Sequence, residues 1–85
     1  MNRYRVDVTV LPREGVLDIQ GKAVERSFKE SGCTSVSDVR VGKFIRFVVR
    51  AESEEEASAA AGNVAEDLLA NSLVESYSLK LEPLP

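Results

Sequence analysis

The run Arg3-Tyr4-Arg5-Val6-Asp7-Val8-Thr9-Val10-Leu11 alternates polar and apolar side chains without a break. A period of two puts Tyr4, Val6, Val8 and Val10 on one face and Arg3, Arg5, Asp7 and Thr9 on the other, which is the pattern of a half-buried β-strand and of no helix. Such a strand needs strand neighbours and an apolar layer over its dry face, and it must find both within a chain of 85 residues. At that length one domain, residues 1–85, is expected, burying about 60–65% of the surface its unfolded form exposes.

The remaining elements follow from their own signals. Asp18 is a plausible N-cap, and Leu17, Gly21, Val24 and Phe28 form a helical stripe that stops at Gly32, predicting a helix over about 19–31. Val36 to Val41 and Phe44 to Arg50 are β-branched and aromatic runs around Gly42-Lys43, the spacing of a two-residue type II′ hairpin. Ser53-Glu54-Glu55-Glu56 spells a capping box, opening a second helix whose inward stripe is Ala57, Ala61, Val64 and Leu68 and whose end is set near Asn71, a residue suited to a left-handed cap. A last strand over 73–82 carries Tyr77, Leu79 and Leu81 on one face and stops before Pro83 and Pro85. The order β-α-β-β-α-β predicts an α+β fold, a split, ferredoxin-like antiparallel four-stranded sheet with both helices on one face.

In that hairpin Val41 faces Phe44, Val39 faces Arg46, Arg40 faces Ile45 and Asp38 faces Phe47. Alternation then leaves neither side of the hairpin polar. Two helices cover only one face of a four-stranded sheet, so the second is expected to be buried by another chain, with a two-fold dimer as the simplest solution. Asp38 and Arg40 lie two apart on one side. They read equally as a surface ion pair or as an arginine-centred contact for a partner protein.

The side chains speak against chemistry within this chain. It has no histidine, the residue best suited to proton transfer near neutral pH, and its few lysines give no serine or threonine a convincing activator. Cys33, the single cysteine, falls in a turn and reads as a small, semi-buried thiol. The carboxylates at 52 and 54–56 suit a helix start and lack metal ligands from a second element. Gly15, Gly21 and Gly42 do not have phosphate-loop spacing. A net charge of −3 gives no footprint for nucleic acid or a membrane surface, and no segment has the length and apolarity of a signal peptide or a membrane span, so a cytoplasmic protein is expected. The stretch Gly42 to Val48 echoes the third strand of RNA-recognition modules. Phe44 and Phe47 are three apart, however, and cannot stack bases from one face. An amino-acid-binding regulatory domain of the ACT type shares the element order, with Pro12 to Gly21 as a loose match to its effector loop.

Three segments together resemble one family: Gly15-Val16-Leu17-Asp18-Ile19-Gln20-Gly21-Lys22-Ala23-Val24, Val39-Arg40-Val41-Gly42-Lys43, and Leu68 through Tyr77. They are similar to the PurS subunits of phosphoribosylformylglycinamidine synthase, and the resemblance spans nearly the whole chain. The first segment has Ile19 where the family's "LDPxG" carries proline, a change that slightly loosens the helix start. The resemblance implies a non-catalytic subunit of de novo purine biosynthesis that forms a homodimer or tetramer. It would bridge a glutaminase subunit (PurQ) and an ATP- and Mg²⁺-dependent synthetase subunit (PurL) and help ammonia pass between them, with no cofactor of its own. It also implies partner contacts at Asp18, Gln20 and Gly21, at Arg40, Gly42, Lys43 and Phe44, and at Asn71 and Tyr77. Gly21, Gly42 and Asn71 have backbone roles of their own, in close packing, the turn and the helix cap. Arg40 and Lys43 have none.

Overall fold

A computed structural model describes residues 1–85. The chain forms β1 (Asn2–Pro12), α1 (Ile19–Glu30), β2 (Lys43–Ala51), α2 (Glu54–Val64), a π-helical continuation of α2 (Ala65–Leu69), and β3 (Glu75–Pro83). The helix starts are where the capping residues put them. The Asp18 carboxylate accepts from the Gly21 amide at 2.9 Å, and the Ser53 hydroxyl accepts from the Glu56 amide at 3.2 Å.

The sheet has three antiparallel strands, not four, in the order β2-β1-β3. The expected hairpin is absent: residues 36–42 form no strand, and β2 pairs instead with β1, bringing Thr9 opposite Phe44, Asp7 opposite Arg46 and Val8 opposite Ile45. Two local facts explain this. The Val39 and Val41 amides, alternate donors that a ladder would use, are taken at 3.2 and 2.9 Å by the Glu25 and Asp18 carboxylates. Asp38 sits in the left-handed region at φ 57°, breaking the extended run. Gly42 does not have the positive φ that a type II′ turn needs. Its missing side chain serves close approach instead, because a Cβ there would strike the Val10 carbonyl oxygen.

The core is the face expected from β1. Tyr4, Val6, Val8 and Val10 are buried, and α2 lays Ala57, Ala61 and Ala65 against them, alanines allowing helix and sheet to approach closely. The buried stripe continues to Ala65 and Leu69 where Val64 and Leu68 were expected, and Leu68 is 78% exposed. Buried residues 57, 61 and 65 are each four apart, and the wider π-turn over Ala65–Leu69, which rotates each successive residue less than an α-turn does, keeps Leu69 in line with them.

The second helix of the expected layer is not on the sheet. α1 projects from one end of the molecule with its stripe uncovered: Leu17 and Ile19 are about three-quarters exposed, and Val24 and Phe28 are exposed too. The molecule is therefore long and flat, 52 × 28 × 14 Å. The opposite sheet face is also not the apolar surface expected: beside Phe44 and Val48 stand Arg3, Arg5, Asp7, Arg46, Lys80 and Glu82.

Candidate functional site

The antiparallel pairing brings the C-terminal end of β1 together with the N-terminal ends of β2 and β3, so the loops 13–18, 31–42 and 70–74 meet at one end of the sheet. Of the nine expected contact residues, all but Phe44 lie around that end or on its α2 side. They form two clusters rather than one site.

In the first, Asp18 joins three pieces of chain. One carboxylate oxygen caps α1 through the Gly21 amide, and the other accepts from the Val41 amide at 2.9 Å. These two backbone hydrogen bonds, Gly21 first, hold the Asp18 pKa below its ordinary value. Glu25, two turns along α1, accepts from the Val39 amide, which lowers its pKa in the same way. Gly21 is buried between them, and a Cβ there would collide with the Asp18 carboxylate and the Val39 carbonyl. So Gly21 permits close packing of α1 on the 39–41 segment, not on the sheet as expected. Arg40 donates to the Pro12 carbonyl at 3.3 Å, tying this segment to the end of β1. Gln20 and Lys43 are exposed beside it, Gln20 in the first turn of α1 and Lys43 opposite Val10. The cleft between the 13–18 loop, α1 and the 38–40 segment is lined by Arg13, Glu14, Lys22 and Asp38 as well.

In the second cluster Asn71 organises the turn into β3. Its side-chain oxygen accepts from the Leu73 amide at 3.2 Å, its carbonyl accepts from Val74 and Glu75, and its own amide donates to the Glu75 carboxylate at 2.7 Å. Asn71 lacks positive φ, so it makes an Asx-type turn instead of the left-handed cap expected. Arg13 donates to the Ser72 carbonyl at 3.0 Å and so connects the two clusters. Tyr77 stands opposite Val10 on the α2 side, where the nearby Glu66 carboxylate pushes the phenol pKa up.

Phe44 does not join either cluster. It lies on the opposite sheet face, opposite Thr9, with the Arg46 guanidinium 5.5 Å from its ring centroid. The sequence reading missed Glu25 and Arg13. Glu25 could have been found, because Asp18, Gly21, Lys22 and Glu25 recur at helical spacing on one face of α1.

Of the cleft carboxylates, Asp18 and Glu25 are engaged with backbone amides, and no three His, Cys, Asp or Glu side chains gather as they would around a metal ion. Cys33 is exposed and not semi-buried as expected, because the turn after α1 that holds it lies away from the sheet. No helix is long and apolar enough to cross a membrane.

Comparison with known proteins gives a consistent result. Residues 5–83 match the family model PurS, phosphoribosylformylglycinamidine (FGAM) synthase. A curated Synechocystis protein, phosphoribosylformylglycinamidine synthase subunit PurS, is 35% identical over 81 residues, 95% of this chain and 81% of its own. Among solved structures, Thermus thermophilus PurS is 40% identical with a TM-score of 0.85, the match covering 98% of this chain and 99% of that one. A chain of the Thermotoga maritima PurLQS structure is 32% identical with a TM-score of 0.86, covering 99% and 100%.

Proposed function

This chain belongs to the PurS family of FGAM synthase subunits of purine biosynthesis, and from that premise we propose that it is a non-catalytic assembly subunit. It bridges a glutaminase (PurQ) and an ATP-dependent synthetase (PurL) in the cytoplasm and supports the passage of ammonia between them. The observation that carries this reading is the full-length match to a chain of the Thermotoga maritima PurLQS structure. ATP and Mg²⁺ belong to the synthetase in this scheme, and the chain's part is geometric. The loop clusters at the end of the sheet offer Gln20, Lys43, Arg40 and the 70–74 turn to the partners, while Asp18, Gly21, Glu25 and Gly42 hold those loops in shape.

The subunit works as a homodimer or a pair of dimers. Its accessible surface is 6079 Å², where a compact monomer of this mass exposes about 5,000 Å². The excess of roughly 1,100 Å² per chain is the contribution one partner makes to a stable protein interface. The bare stripe of α1 and the half-covered apolar flank of the sheet are where that surface lies, and a second copy of the chain covers them.

Reconstitution tests the proposal. Purified glutaminase and synthetase subunits from the same genome should carry out glutamine-dependent synthesis only when this chain is added, while synthesis from free ammonium needs it far less. Unchanged glutamine-dependent turnover without it refutes the bridging role. A bound amino acid that raises its melting temperature would establish the effector-domain reading in its place.

A further inference from the structure

Between α1 and β2 the chain runs through residues 31–42, and from Ser35 to Gly42 no backbone amide or carbonyl bonds to another backbone group. A connector of that length closes without such ties, since the entropy of a loop grows only slowly with its length. This one is nevertheless held at three consecutive residues. The Val39 amide donates to the Glu25 carboxylate at 3.2 Å, the Arg40 guanidinium to the Pro12 carbonyl at 3.3 Å, and the Val41 amide to the Asp18 carboxylate at 2.9 Å.

Arg40 is the centre of this arrangement. The amides on either side of it are fixed, while its own side chain is exposed and pairs with no carboxylate of the chain, so the ion pair with Asp38 that the spacing allowed does not form. Of the two carboxylates that fix the segment, Asp18 has a second duty, because it also caps α1. Glu25 caps nothing. It sits mid-helix with its side chain only 17% exposed, and its one ion pair is with Lys29, a turn further on, at 3.6 Å. A glutamate that merely supported the helix would lie in water beside that lysine. Glu25 is instead drawn against residues 38–40, where Gly21, lacking a side chain, lets the Val39 carbonyl come close.

We propose that Glu25 is a positioning residue for Arg40: by holding the Val39 amide it fixes the backbone from which Arg40 meets the rest of the synthase. This rests on the assembly reading above, which counts Arg40 among the partner contacts. It adds that Glu25 acts through Arg40 and not through the stability of α1.

The test reconstitutes the synthase from purified glutaminase, purified synthetase and the full chain, and reads the concentration of the chain that gives half-maximal glutamine-dependent turnover. Arg40→Ala and Glu25→Ala should each raise it about tenfold, and the double variant should raise it no further, because the second change removes what the first has already lost. Glu25→Gln keeps an acceptor oxygen for the Val39 amide and should stay within about threefold of the wild type. Lys29→Ala, which breaks only the ion pair along the helix, should leave it unchanged. In hydrogen–deuterium exchange Glu25→Ala should lose protection at residues 39–41 alone, and it should sediment as the wild type does. Protection lost along α1 as well, or a changed self-association, makes the role of Glu25 structural and overturns the proposal. Effects of the two single variants that multiply in the double refute action through Arg40. Either single variant within about twofold of the wild type refutes the proposal and leaves the assembly reading intact. Glutamine-dependent turnover that does not need the unmodified chain refutes both.

Discussion

Asp18 shows how one side chain can carry several requirements at once. It caps α1, anchors the 39–41 segment, and by taking the Val41 amide removes a donor from the strand that the sequence pattern predicted there. Asp18→Ala should therefore leave the sheet intact while the Gly21 and Val41 amides exchange about tenfold faster, read by hydrogen–deuterium exchange. Equal loss of protection across β1 would contradict this division of labour. Asp7, Asp18 and Glu25 all have pKa values held below the ordinary range, by the Arg46 hydrogen bond for Asp7 and by backbone amides for the other two. A depressed carboxylate contributes stability that is present in full above its unfolded pKa of about 4. That contribution is lost as pH falls through the folded pKa. Thermal melts should be flat down to about pH 5 and fall steeply below about pH 4, and Asp18→Asn should flatten part of that slope. The N-caps at Asp18 and Ser53 were legible because capping depends on residues three apart. The links from Asp18 and Glu25 to residues 39–41 were not, because they join positions 14 or more apart through side chains.

At the scale of elements, β1 was readable almost to the residue because its alternation and its burial are the same fact. The segment 36–42 was misread for a related reason. Val36, Val39 and Val41 have strand propensity, but propensity describes a pleated, half-buried environment and does not supply one. With Glu25 and Asp18 holding alternate amides and Asp38 in a left-handed conformation, the segment becomes an extended strap between α1 and β2. The α2 register failed more subtly. Its small front stripe is right, the stripe continues one residue later than expected at Ala65, and the π-turn at Ala65–Leu69 carries it on to Leu69. Ala61 is fully buried against the valines of β1, so Ala61→Leu should lift the helix from the sheet and cost about 1–3 kcal/mol in urea unfolding. The same substitution at exposed Ala59 should cost nothing measurable.

At the scale of the whole molecule, the radius of gyration of 16.5 Å stands against about 12 Å for a compact chain of this length. Only 9 of 85 residues are buried, too few for a chain that folds alone with comfort. The melting temperature should therefore rise with protein concentration, as for any fold completed by association. Phe28→Asp, on the bare stripe of α1, should abolish that dependence and sediment as a monomer. A wild-type chain that melts at one temperature across a hundredfold range of concentration would refute it. That the chain carries surplus apolar surface could be inferred from the sequence. Where that surplus lies could not: the reading placed it on a hairpin, and it lies on α1 and one flank of the sheet, because the hairpin does not form.

The central place of β1 in the sheet also dictates an order of events. Its neighbours, β2 and β3, are made after it, and its pairing with β3 joins Tyr4 to Pro83, nearly the full length of the chain. β1 is thus made before both of its neighbours, and the helix that covers its row of valines, α2, follows more than 40 residues later. Closure of β1 over such separations is slow by nature, since the entropy of a long loop is lost before any contact compensates for it. The sheet is complete only once β3 has been made and has closed on β1.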